Sequence, residues 1–211
     1  MFNLKNVSKM KNVKVTMITL MMCLTTMVSF GQEKYTTYDN LYSEKTHEVS
    51  ISHKDSNNYT LYVEMMSMDE LSKNGGVMIT QKEHVLFLST LNDAKTKYNE
   101  WVATAKENNV ADLTKSMTYK VKVGGFFQYG SKWNFQYMVL LTFHFTIVDS
   151  KNLLIVRTGK LTSSSNEYIT NDGFVFVFQN EKEIDDFVNI LSVDKVKEFV
   201  NKPKTIDLFK D

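Results

Sequence analysis

Trp133-Asn134-Phe135-Gln136-Tyr137-Met138-Val139-Leu140-Leu141-Thr142-Phe143-His144-Phe145-Thr146-Ile147-Val148 alternates along almost its whole length. Phe135, Tyr137, Val139, Leu141, Phe143, Phe145 and Ile147 fall on one side, and Gln136, Thr142, His144 and Thr146 fall on the other. A period of two over this distance is the signature of a strand with one oily and one partly wet face. Antiparallel sheets tolerate water on one face, so the remaining elements are expected to form an antiparallel sheet.

Working outward, 117–127 alternates in the same way, with Lys120 and Lys122 on the wet side. Asp149-Ser150-Lys151-Asn152 has the short polar side chains of a tight turn and leads into a strand over 153–162. A polar loop through Ser163-Ser164-Ser165-Asn166 runs to Asn171-Asp172-Gly173. Residues 174–178 are apolar in both parities and read as a central strand. Ile184, Phe187, Val188 and Leu191 mark an amphipathic helix over 181–191, followed by a short helix over 193–200. Upstream, 46–54 and 59–68 flank Asp55-Ser56-Asn57-Asn58 and predict a hairpin. A short strand over 77–80 precedes a long helix over 82–108, whose stripe holds Leu88, Leu91, Tyr98, Trp101, Val102 and Ala105.

These elements predict an α+β fold: an antiparallel sheet with one long helix and shorter C-terminal helices packed on one face. The order ββ-β-α occurs twice, over 46–108 and 133–191, and an internal duplication would account for it. No Pro/Ser/Gly-rich linker interrupts 32–211, so one domain is expected there.

Residues 1–31 read differently. Lys5, Lys9, Lys11 and Lys14 precede an uncharged apolar run over 15–30, and Ser29-Phe30-Gly31 supplies small residues before Gln32. This is the order of a cleavable signal peptide, with cleavage between Gly31 and Gln32. The ending resembles leaders of Gram-negative exported proteins. A run of sixteen residues falls short of the ~20 that a membrane-spanning helix needs. Cys23 follows Leu20-Met21-Met22 and lacks the small neighbour that lipidation requires. The chain has 25 basic and 24 acidic residues, net +1; without the four leader lysines, 32–211 carries net −3. That charge offers no basic footprint for nucleic acid. The single cysteine, Cys23, leaves with the leader, which removes disulfides and thiol catalysis from the remainder. The expected location is the bacterial periplasm, or the cell surface and beyond, with membrane contact only through the leader.

Chemistry-bearing motifs are sparse. His47 and His53 lie about 20 Å apart if they share a strand. His84 sits at the start of the long helix as an ordinary polar residue. His144 sits in mid-strand beside Thr142 and Thr146 and is the candidate polar site. No zinc, EF-hand, P-loop, dinucleotide or nucleophile-elbow motif occurs, so no metal and no cofactor is expected. The segment 124–133 packs Phe126, Phe127, Tyr129 and Trp133 between glycines, a pattern suited to stacking on a sugar or gripping an apolar partner.

Three functions fit this reading. The first is an exported, non-catalytic binding or assembly module with a protein, glycan or lipid partner. The second is a carrier for a lipid or glycan, in a cavity lined by Phe143, Phe145 and Trp101. The third is a hydrolase assembled from distant residues, with His144 as base.

Overall fold

In the computed structural model, residues 31–70, 72 and 74–202 are described. The leader run over 15–30, Cys23 and Pro203 lie outside them. Gly31 and Gln32, the predicted cleavage pair, are exposed just ahead of the first strand. The described residues from Gln32 onward belong to one compact unit.

In chain order the strands begin with β1 (Glu33–Asn40), β2 (Lys45–Asp55), β3 (Asn58–Glu64), β4 (Met66–Ser67) and β5 (Gly75–Thr80). Helix α1 (Gln81–Glu107) follows. Then come β6 (Leu113–Tyr129), β7 (Lys132–Val148), β8 (Lys151–Arg157), β9 (Leu161–Ser163), β10 (Asn166–Asn171) and β11 (Phe174–Phe178). Helices α2 (Glu181–Ile190) and α3 (Val193–Val200) are the last elements among the described residues.

Among the described residues the main sheet has nine strands in the order β1-β2-β3-β5-β6-β7-β8-β11-β4, and every pairing in it is antiparallel. The broad α+β expectation therefore stands. The sheet curls into a half-barrel. One cause is visible in the connectivity: β4 lies one residue beyond β3 in sequence yet pairs with β11, which draws the far end of the sheet round. Tyr38 on β1 also reaches Phe176 on β11, with ring centroids 6.0 Å apart. The strand series β1-β2-β3-β5 before α1 has the same order as β6-β7-β8-β11 before α2.

Local chemistry sets the boundaries. Asp55 accepts a hydrogen bond from Asn57 N at 2.8 Å and closes the β2–β3 turn. Asp149 and Ser150 both take positive φ, 49° and 61°, the geometry of a two-residue hairpin turn. Thr80 N donates to Glu83 Oε2 at 2.9 Å at the start of α1. Asn180 Oδ1 accepts from Glu183 N at 2.9 Å at the start of α2.

The inward residues of the strands, among them Val49, Leu61, Ile79, Val121, Phe143 and Phe176, share one apolar cluster with Phe87 of α1, Phe187 of α2 and Val196 of α3. Hydrophobic burial at this seam holds the sheet to its helices, at roughly 1.5–3 kcal/mol for each large side chain fully buried. Tyr98 OH donates to Asn152 O and Gln179 O, each at 3.1 Å. Burial, then the nearby Glu183 carboxylate, pushes its phenol up to about 12.

Several local expectations change. A strand over 33–40 was not expected, because β1 is mostly polar and exposed. The run 59–68 breaks at Met65, whose N–H donates to Gly75 O at 3.0 Å. The strand expected over 153–162 ends at Arg157, and 161–171 forms a separate two-stranded hairpin instead of a loop. Most important, β7 does not keep one unbroken apolar face. Val139, Leu141, Phe143, Phe145 and Ile147 face the core, but a bulge throws Tyr137 outward.

Candidate functional site

The outer face of the sheet carries a groove across four neighbouring strands. Tyr62 on β3 lies opposite Met78 on β5, and Met78 lies opposite Gly124 on β6. Phe126 is paired with Phe135 on β7. Each of these side chains alternates with core-facing neighbours: Leu61 and Val63, Val77 and Ile79, Val123 and Phe127. Tyr62 meets Phe126 edge-on at 5.6 Å, and Phe126 meets Trp133 at 5.6 Å. The resulting cavity is about 400 Å³, bounded by Thr60, Thr80 and Glu83 at one end and by Tyr137 and Met138 at the other.

The β7 bulge makes one wall. Val123 pairs with Val139 and Gly125 with Gln136, so β7 carries one more residue than β6 at this point. The extra length is absorbed by Met138 at φ 58°, a left-handed conformation that strains a side chain of this size. Tyr137 is 72% exposed and Met138 69% exposed as a result. Gly124 makes the floor, because a Cβ there would come within 2.7 Å of Met78 Cε.

The aromatic segment over 124–133 is therefore not a loop. It is strand on both sides of the Gly130-Ser131 turn, and its four aromatics divide between the faces. Phe127 is fully buried in the core, which corrects its assignment to a binding surface. Phe126 is buried on the outer face beneath the groove. Tyr129 is exposed near the turn, and Trp133, 48% exposed, extends the aromatic row beyond Phe126. Tyr62, Met78, Phe135, Tyr137 and Met138 were not anticipated as site residues. One signal was available: Met138 and Leu140 break the alternation by placing apolar side chains on the wet face.

His144 lies outside the groove, further along β7. Its Nδ1 is 3.2 Å from Ser116 Oγ and its Nε2 is 3.1 Å from Thr142 Oγ1. Burial, then the charge of Arg157, lowers its pKa below the ordinary imidazole value. Hydroxyls occupy both ring nitrogens, so the ring has no carboxylate to orient it as a base.

The other histidines are structural or isolated. His53 pairs with Glu33 across β1 and β2. His84, read as an ordinary polar residue, is fully buried: its Nδ1 accepts from Tyr59 OH at 2.7 Å and its Nε2 lies 2.6 Å from Leu191 O. His47 stacks on Tyr38, and its Nε2 is buried without a hydrogen-bond partner. Phe143 and Phe145, expected to line a carrier cavity, are fully buried, with the rings of Tyr98 and Trp101 packed on Phe145.

Two further cavities open at the surface. One, about 390 Å³, lies between β1 and α2; there the Glu183 carboxylate accepts from Leu41 N and Gln179 N. The other, about 430 Å³, is bounded by Lys45, His47, Glu64 and Asn74. Among the described residues, no group of three or more His, Cys, Asp or Glu is placed to hold a metal ion. No helix among them is long and apolar enough to cross a membrane. No family model matches the chain, and no curated protein or solved structure matches it either.

Proposed function

We propose that this protein is an exported, non-catalytic binding module that engages its partner through the outer-face groove. The observation that carries this reading is the strained Met138 bulge, which holds Tyr137 and Met138 out in water beside a row of aromatics. Exposed apolar side chains cost solubility, and a left-handed methionine costs roughly 1–2 kcal/mol. Features that cost stability on both counts are concentrated at binding sites. The leader supports export to the periplasm or cell surface. The repeated strand order before α1 and α2, which starts with β1 and β6 and so ahead of the expected bounds 46–108 and 133–191, supports descent from a duplicated unit.

One experiment addresses export and contact together. The full chain is produced in its source cells with p-benzoylphenylalanine at position 137, irradiated in the intact envelope, and sequenced from its N-terminus. The expected result is an adduct at 137, none at the still more exposed control position 168, and a first residue of Gln32. A chain that begins at Met1, or adducts that form equally at both positions, would sink the reading.

The Ser116–His144 contact favours the hydrolase as a second reading. A serine activated by a base reacts with fluorophosphonates. Because His144 lacks an orienting carboxylate, Ser116 is expected to stay unlabelled at reagent concentrations that saturate a serine hydrolase run alongside. Labelling abolished by Ser116→Ala would instead establish the catalytic role.

A further inference from the structure

We infer that the outer-face groove takes the ring face of a neutral sugar within a glycan; this rests on the binding-module reading above. The strands beneath the groove leave few choices. β3, β5, β6 and β7 are each flanked by a paired strand on both edges, and the ladder beneath the groove is interrupted only at the β7 bulge. Their backbone N–H and C=O groups are spent on one another, so an extended peptide cannot add as a strand here, as it would at a free sheet edge. Whatever binds must be held by side chains.

Those side chains define a chemistry. Tyr62, Phe135 and Tyr137 offer ring surface, which favours flat apolar C–H faces. The hydroxyl of Thr60 and the phenols of Tyr62 and Tyr137 stand with them and ask for hydrogen-bonding partners. Among the described residues no lysine or arginine lines the cavity, so a phosphate, sulfate or uronate would find no counter-charge from them. Glu83 is the single carboxylate, and it already accepts from Thr80 N at 2.9 Å and Thr80 Oγ1 at 2.7 Å, leaving its other oxygen for a ligand hydroxyl. An acyl chain would bury its apolar length but leave these polar groups unpaired. A pyranose satisfies both demands, because it carries an apolar C–H face and a rim of uncharged hydroxyls.

Size agrees with this. At about 400 Å³ the cavity lies at the small end of the ~300–1,000 Å³ range for small-molecule sites, enough for one or two sugar rings. Trp133 continues the aromatic row past Phe126 and offers a place for the next ring of a chain.

The test titrates the purified 32–211 chain with hexasaccharides of β-1,4-glucose, α-1,4-glucose, β-1,4-N-acetylglucosamine and β-1,4-mannose. Hexagalacturonate serves as the anionic comparison and palmitate as the lipid. Binding is followed by tryptophan fluorescence and calorimetry. At least one neutral hexasaccharide should bind saturably, while the acid and the lipid do not. Tyr137→Ala should weaken that binding about tenfold, the scale of one lost stacking partner. Met138→Gly, which relaxes the strained bulge, should weaken it too while keeping the melting temperature at or above the parent value. The inference is overturned if no neutral hexasaccharide binds, if palmitate or hexagalacturonate binds in its place, or if both variants bind like the parent. A failed titration together with an adduct at position 137 would remove the glycan and keep the binding module; failure of both would remove both.

Discussion

Gly76→Ala is expected to lower the melting temperature by about 6–12 °C, or to prevent soluble expression, with no change of charge or polarity to account for it. Gly76 pairs with Glu64 on β3 and with Phe126 on β6, so backbone presses on it from both sides. A methyl group at this position would sit 2.0 Å from Val63 O and 3.0 Å from both Glu64 Cα and Met65 N. All three are main-chain atoms, at the end of β3 and in the residue that follows it, and none can swing aside as a side chain would. Relief requires β3 and β5 to separate just where the chain leaves β3 for β4, at the turn that brings the sheet round to β11. Overpacking commonly costs about 1–3 kcal/mol, and this contact belongs at or above the upper end. Gly159→Ala is the matched control, because a Cβ there meets nothing within 4 Å; it should melt within about 0.5 kcal/mol of the parent. Equal melting of the two variants would show that β3 and β5 are not spaced as described.

How far such features could be read from the sequence depended on whether they are local. Residues 181–191 and 193–200 announce their helices because amphipathic spacing is written within a few residues. Residues 174–178 announce β11 because five apolar residues in a row have no wet face to show. β1 was invisible for the opposite reason. Glu33 to Asn40 offers only Tyr35 and Tyr38 as apolar markers, and its place is fixed by pairing with β2 and by contacts with distant helices, such as Tyr35 OH donating to Ile190 O at 2.7 Å. The groove divides in the same way. Phe126 and Trp133 stand out by aromatic density, but Tyr62 and Met78 join them only through cross-strand register. Tyr137 joins only because one extra residue in β7 turns it over. A period-two pattern cannot foresee a bulge, since each residue beyond it changes face. Phe127 was misread for this reason also: in a strand, neighbours of the same chemical type point opposite ways.

His84→Leu is expected to destabilise the fold by about 2–5 kcal/mol, although it replaces one buried side chain by another of similar bulk. His84 is fully buried and makes two hydrogen bonds that no apolar residue can replace. One accepts from Tyr59 OH on β3, and the other is donated to Leu191 O at the end of α2. The imidazole thus ties the sheet, the start of α1 and the C-terminal helices through one ring, and its removal leaves a phenol and a carbonyl unpaired in the core. Adding Tyr59→Phe to His84→Leu should recover part of the loss, because the stranded hydroxyl goes with it. The same ring should make stability depend on pH. Burial lowers the pKa of His84 below the ordinary 6.5, against a smaller opposing effect from the Leu191 carbonyl. The unfolded chain then takes up a proton at a higher pH than the folded one. Stability is full above about pH 6.5 and is lost as pH falls toward the folded-state pKa, where a charged imidazole would have to displace the Tyr59 hydrogen bond. His47, lowered by burial and by Lys45, and His144, lowered by burial and by Arg157, act in the same direction and contribute to the slope that remains after His84 is replaced. Urea unfolding at pH 8 and pH 5 measures the difference. The parent should lose more stability between those values than the His84→Leu/Tyr59→Phe double variant does. Identical losses would mean that His84 is not held neutral in the core, and the junction of β3, α1 and α2 would need another explanation.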